Sequence, residues 1–172
     1  AGADLFAQRV DHYGYLGLTE PAITAVRDVP ADQGGQVKLS FHGSYLEDEP
    51  WFAVSSYRVY RSISPQAVAS RTRPAALSRD PDAVAADPAN VLYVSSTAAT
   101  DYYWEYVTAV TVDYLGDYSV LVATAYDSTS LGNPRTAFMV QARSSTKHWD
   151  SWPDSGYSVD NLAPLAPAPF TG

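Results

Sequence analysis

An all-β sandwich of two sheets is the fold this chain predicts, on three observations. Several segments alternate apolar and polar residues, the period of a half-buried strand. Clusters of Gly, Pro, Asn and Asp punctuate them, with no sustained helical period between. Thirteen Tyr and four Trp, together with abundant Val and Thr, supply the residue types that fit a pleated surface.

The strand candidates follow in chain order. Residues 21–29, PAITAVRDV, open on Pro21, and PADQGG at 30–35 is dense in turn formers. In QVKLSFHGS (36–44), Val37, Leu39 and Phe41 share one face, and Lys38, Ser40 and His42 the other. After a loop at 44–52, AVSSYRVYRS (53–62) alternates again. Strands resume at YYWEYVTAVTV (102–112) and DYSVLVATAYD (117–127). Beyond a turn at 128–134, RTAFMVQAR (135–143) sets Thr136, Phe138, Val140 and Ala142 on one side, and GYSVDN (156–161) supplies the closing strand.

Three stretches differ in character. Residues 1–20 carry aromatics without a period; they either fold back along their own sandwich or add to the sheet edge of a neighbour. Residues 63–101, rich in Ala, Pro, Ser and Asp, read as an insertion. Their large apolar residues are too few for a separate core, and SPQAVAS and DPDAVAAD each place a proline at a helix start. Residues 163–172 alternate Pro and Ala, a composition that favours a semi-rigid polyproline II linker.

At 172 residues and 46% hydrophobic content, one packed domain is expected over 21–162. The net charge of −8 argues against a nucleic-acid partner, and no apolar run reaches the ~20 residues that a spanning helix needs. The absence of cysteine removes disulfides and thiolate chemistry together. An acidic surface with only Lys38 and Lys147 as lysines suits an extracellular or cell-surface protein, with any export signal removed or outside the chain.

Three runs carry a family resemblance. QVKLSF resembles the Val-x-Leu-x-Trp second strand of fibronectin type III modules, with Phe41 in the Trp place. YRVYR (57–61) is similar to their third strand, and TAFMVQA (136–142) to the Thr-x-Tyr-x-Val-x-Ala sixth strand, with Phe138 where Tyr is usual. Phe138 fills the volume of that Tyr without the hydroxyl that bonds backbone at the corner. DVPADQGGQV, YYWEYV and PDSGYSVDNLAP further resemble recurring signatures of type III-like modules in large exported multidomain bacterial proteins. The resemblance implies an immunoglobulin-like sandwich interrupted between its third and fourth strands. Its expected role is non-enzymatic, extracellular, and structural or adhesive, as a surface or filament subunit. Its expected partners are neighbouring modules, other proteins or copies of itself. The alternative is a carbohydrate-binding accessory module of a secreted enzyme.

Candidate chemistry is sparse. His12, His42 and His148 lack the paired spacing of zinc ligands. SSTK (144–147) matches Ser-x-x-Lys but lacks the companion motifs and the long helix of that enzyme class. Carboxylates cluster at Glu47, Asp48 and Glu49, at Asp80, Asp82 and Asp87, and at Asp150, Asp154 and Asp160. No cofactor is expected, with Ca2+ at 80–87 as the exception to test. The partner-binding candidates are Trp51, Trp149, Trp152 and Tyr157. The competing reading has Trp149 and Trp152 capping the sandwich end or packing against residues 1–20.

Overall fold

The computed structural model describes residues 9–49, 53–70, 76–96 and 101–162. Within them the chain is predominantly β. In order come β1 (Ala22–Asp28), β2 (Gln36–His42), a 3-10 turn (Tyr45–Glu47), β3 (Ser56–Ile63), α1 (Pro65–Ala69), β4 (Ala76–Ser78) and α2 (Pro81–Ala86). They are followed by β5 (Val91–Ser96), β6 (Asp101–Thr111), β7 (Asp117–Ala123), β8 (Thr136–Arg143), β9 (His148–Asp150) and β10 (Asp154–Gly156). Two sheets result, one ordered β1-β2-β7 and the other β10-β8-β3-β6-β5-β4, with β9 also on β8. Every pairing is antiparallel except β4 with β5.

The alternation read from β2 is the alternation observed: Val37, Leu39 and Phe41 are buried, while Gln36, Lys38 and His42 face water. Opposite them in register, β7 turns Tyr118 and Val122 inward. These meet Tyr57 and Val59 of β3 and Phe138, Val140 and Ala142 of β8, so the two sheets close face to face over one core. Phe41 lies flat on Tyr118 and edge-on to Tyr57. Arg61 of β3 reaches across the layers and donates to the carbonyls of Ala123 and Thr124 at 3.1 and 2.9 Å.

Residues 64–70 and 76–96 form more than helical turns. α1 is capped by Ser64 and α2 by Asp80, each with proline in its first turn, as the two prolines predicted. β4 and β5, which the Ala/Pro-rich composition had concealed, extend the larger sheet beyond β6. Val84 of α2 and Tyr93 of β5 close over Tyr60, Trp104 and Met139 in a second buried cluster, on the opposite face from the main core. The larger sheet is thereby covered on both faces near β3, β6 and β8. This is why β8 buries Met139, Gln141 and Arg143 as well as its inward set.

The closing segment also differs from expectation. β10 ends at Gly156, and residues 158–161 cross toward the smaller sheet instead of continuing along β8. There Ser158 bridges Asp127, and Asp160 bridges Gln33. The Asp28 carboxylate accepts from the Val159 N–H at 2.9 Å and from the Asn161 amide at 2.8 Å, and Asn161 Oδ1 accepts from the Asp32 N–H at 3.0 Å. Gly34 and Gly35, at φ 78° and 80°, take the left-handed turn this approach requires. A Cβ on Gly34 would sit 3.1 Å from the Asp160 nitrogen.

Candidate functional site

The most exposed aromatic side chain among the described residues lies where β9 and β10 part. Both strands run along β8, but Ser151–Pro153 interrupts them: the Ser151 hydroxyl accepts from the Val140 N–H at 2.9 Å, and Pro153 has no N–H to offer a ladder. The break turns Trp152 outward, 74% exposed. It borders a cavity of about 450 Å3, lined also by Leu18, Pro21 and Ile23. It also borders one of about 210 Å3, lined by Tyr102 and Met139. Arg9 and Glu20 line both.

Arg9 pairs with Glu20 at 2.5 Å; its side chain is 44% exposed against 18% for the carboxylate. The second carboxylate oxygen, Glu20 Oε2, is buried and without a hydrogen-bond partner among the described residues. Asp150 behaves differently. One oxygen accepts from the Gln141 amide at 2.7 Å and the other from the Tyr93 hydroxyl at 2.9 Å, so this carboxylate is satisfied from within. Burial foremost, with the Asp150 charge beside it, pushes the Tyr93 hydroxyl well above the usual phenol range and keeps it a donor. The arrangement offers a wet aromatic face, apolar flanks, an exposed guanidinium and an unused acceptor.

The four partner-binding candidates separate. Trp152 is the exposed ridge. Trp149 sits in β9, 1% exposed, and packs against the leader as the competing reading has it, edge-on to Tyr13 at 5.5 Å. Its indole N–H donates to Asp11 at 2.6 Å. Tyr157 is 36% exposed just beyond β10 and lines neither cavity, and Trp51 lies outside the described residues.

Trp149 is the socket for the leader. Of residues 1–20, those from 9 onward are described, and they fold back on their own sandwich. Asp11 collects four donors there: the N–H of Tyr13 at 2.9 Å and of Tyr15 at 2.8 Å, the Thr19 hydroxyl at 3.1 Å and the Trp149 indole. Burial alone would raise the Asp11 carboxyl, but these hydrogen bonds outweigh it and hold the group below the usual carboxylate range. Ser-x-x-Lys serves the same docking. Ser144 Oγ accepts from the Lys147 N–H at 3.0 Å to close the β8–β9 turn, and the Lys147 ammonium lies over the rings of Tyr13 and Tyr15.

The carboxylate clusters are drawn into structure as well. Asp80 caps α2, Asp82 binds Arg58 and Arg143, and Asp87 accepts from the Asn90 amide. Glu47 is buried and receives the hydroxyls of Tyr57 and Tyr118. Among the described residues no three His, Asp or Glu side chains converge as metal ligands would, and no helix is long and apolar enough to cross a membrane. His42 lies against the Asp117 carboxylate at the surface. His12 and His148 border a third cavity of about 230 Å3 beside Glu20.

No protein-family model, curated protein or solved structure matches this chain. The functional reading therefore rests on the residues themselves. Sequence reasoning named Trp152 but missed Arg9 and Glu20, because positions 9, 20 and 152 share no local spacing and meet only after the leader docks.

Proposed function

We propose that the chain is a fibronectin type III-like module with no catalytic role, serving as a structural or adhesive unit of an exported bacterial protein. One observation carries the reading: β1-β2-β7 faces β10-β8-β3-β6, with residues 64–96 added between the third strand and its partner. This is the division into layers that the resemblance of QVKLSF, YRVYR and TAFMVQA implies, and it supports treating residues 63–101 as an insertion. The signature runs DVPADQGGQV and PDSGYSVDNLAP lend further support. They meet through Asp28, Asp32, Gln33, Asp160 and Asn161, as halves of one recurring clasp would. The side chains with chemical potential elsewhere (Ser144, Lys147, Asp82, Glu47) are occupied in holding the fold.

An enzyme-substrate panel tests this reading. Chromogenic esters, phosphates, peptides and glycosides should show no turnover above buffer. Turnover abolished by Glu20→Gln would overturn it. Light scattering of the purified chain resolves the kind of unit: a steady monomer marks an adhesive module, and concentration-dependent growth marks an assembling one.

A further inference from the structure

Resting on that non-enzymatic reading, we propose that Trp152, Arg9 and Glu20 form a binding site for a neutral oligosaccharide, with one pyranose ring stacked on the Trp152 indole. The indole is the first ground. A large aromatic face 74% exposed, held outward by the Ser151–Pro153 break, is a platform waiting for a flat apolar surface. The C–H face of a pyranose is such a surface. The second ground is shape. Hollows of about 450 and 210 Å3 are both lined by Trp152, the larger within the roughly 300–1,000 Å3 of small-molecule sites. Two adjoining hollows that share Arg9, Glu20, Trp152 and Pro153 suit a chain of sugars better than a single sugar.

The third ground decides between ligand classes. Glu20 Oε2 is a buried acceptor with no donor among the described residues, although its sister oxygen holds Arg9. A buried carboxylate oxygen gains most from a hydroxyl or N–H brought by the ligand. A sugar brings hydroxyls on most ring carbons. A Pro/Ala-rich segment, the other natural occupant of an aromatic groove, brings few donors because proline has no N–H. Arg9, partly exposed, supplies donors for ring and hydroxyl oxygens in return. Charge narrows the sugar. Glu20, Asp150 and Asp154 line these hollows against the one guanidinium of Arg9, so a uronate or sialate would meet an acidic wall.

The test is calorimetric titration of the purified chain with cellohexaose, xylohexaose, laminarihexaose, mannohexaose and, as the anionic control, a galacturonate hexamer. At least one neutral hexaose is expected to bind with Kd on the order of 10–1,000 μM, a weak affinity in keeping with an open site. Trp152→Ala should lower that affinity at least tenfold with an unchanged far-UV spectrum and Tm, because the side chain is exposed. Glu20→Gln should lower it severalfold. The proposal is overturned if no neutral hexaose binds, if binding survives Trp152→Ala, or if only the galacturonate hexamer binds. It is equally overturned if the peptide APLAPAPFTG occupies the site and the sugars do not. Failure of this site leaves the module reading standing. Release of reducing ends from a bound hexaose would do the reverse, sinking the non-enzymatic reading while keeping the site.

Discussion

Replacing Asp11 with alanine should undock the leader from the sandwich. The side chain accepts four hydrogen bonds, and the one from Trp149, at 2.6 Å, comes from an indole 1% exposed. Without Asp11 that N–H has no acceptor under Tyr13, a loss of about 1–3 kcal/mol for a buried unsatisfied donor. The Tyr13 and Tyr15 backbone donors are half-buried and partly recover water, so each contributes roughly 0.5–1 kcal/mol. The expected destabilisation is about 2–5 kcal/mol, a large share of the ~5–15 kcal/mol that holds a typical domain together. Urea titration followed by tryptophan fluorescence measures it, and the emission should shift red as Trp149 becomes wet. Trp149→Phe keeps most of the ring volume and removes the N–H. In a double-mutant cycle with Asp11→Ala, the coupling should be about 1.5–3 kcal/mol, the range of hydrogen bonds to charged groups. Additivity within about 0.5 kcal/mol, or a single-variant loss below that value, would refute the role assigned to Asp11.

Gly156→Ala should destabilise strongly, since a Cβ there collides with Val26 Cγ1 and comes within 2.9 Å of the Val26 carbonyl oxygen. A loss of about 2–4 kcal/mol in chemical denaturation is expected, and a wild-type midpoint would contradict the close approach of β1 and β10. Met139→Ala should cost about 2–5 kcal/mol if the outer cluster is packed as tightly as the main core; below about 1 kcal/mol, the cover formed by residues 64–96 is loose. Acid should weaken the fold in two stages. His148 is held below its usual 6.5 chiefly by burial, with Arg143 and His12 adding and Asp150 and Asp82 opposing. The unfolded chain therefore protonates it first, and stability declines as pH falls from about 6.5 toward the lower folded value. Asp11 and, through Arg58 and Arg143 against its own burial, Asp82 are held below 3.8. Their contributions are complete above that value and fade as pH falls through the folded ones. Thermal melts from pH 8 to 3 should show both declines, and Asp11→Ala should flatten the second.

The small sheet was legible in the sequence because one of its faces is wet. Lys38 and His42 alternate with Val37, Leu39 and Phe41, and only one register buries the second set. β8 yielded its inward residues by the same rule, but nothing in its own pattern said that Met139 and Arg143 were buried too. Met139 is covered by Val84 and Tyr93, and Arg143 is paired with Asp82, all three within a stretch whose composition resembles a loop. β5 did carry a signal, the run VLYV, outweighed in the reading by the alanines around it. β9 is three residues long, too short for any period, so nothing local in the sequence separates Trp149 from Trp152, although the two face opposite environments. The site was harder still. Glu20 precedes a strand and resembles an ordinary solvated charge until the docked leader sets Arg9 and Glu20 beside Trp152.

The crossing of residues 158–161 determines how tension enters the molecule. A pull at Leu162 meets Asn161 and Val159, tied to Asp28 at the end of β1, before it reaches any rung of the larger sheet. Ser158 passes the strain onward to Thr124 and Asp127, past the end of β7. A tug on this end is thus borne first at both edges of the smaller sheet, and the strand on β8 cannot be peeled away until that knot gives.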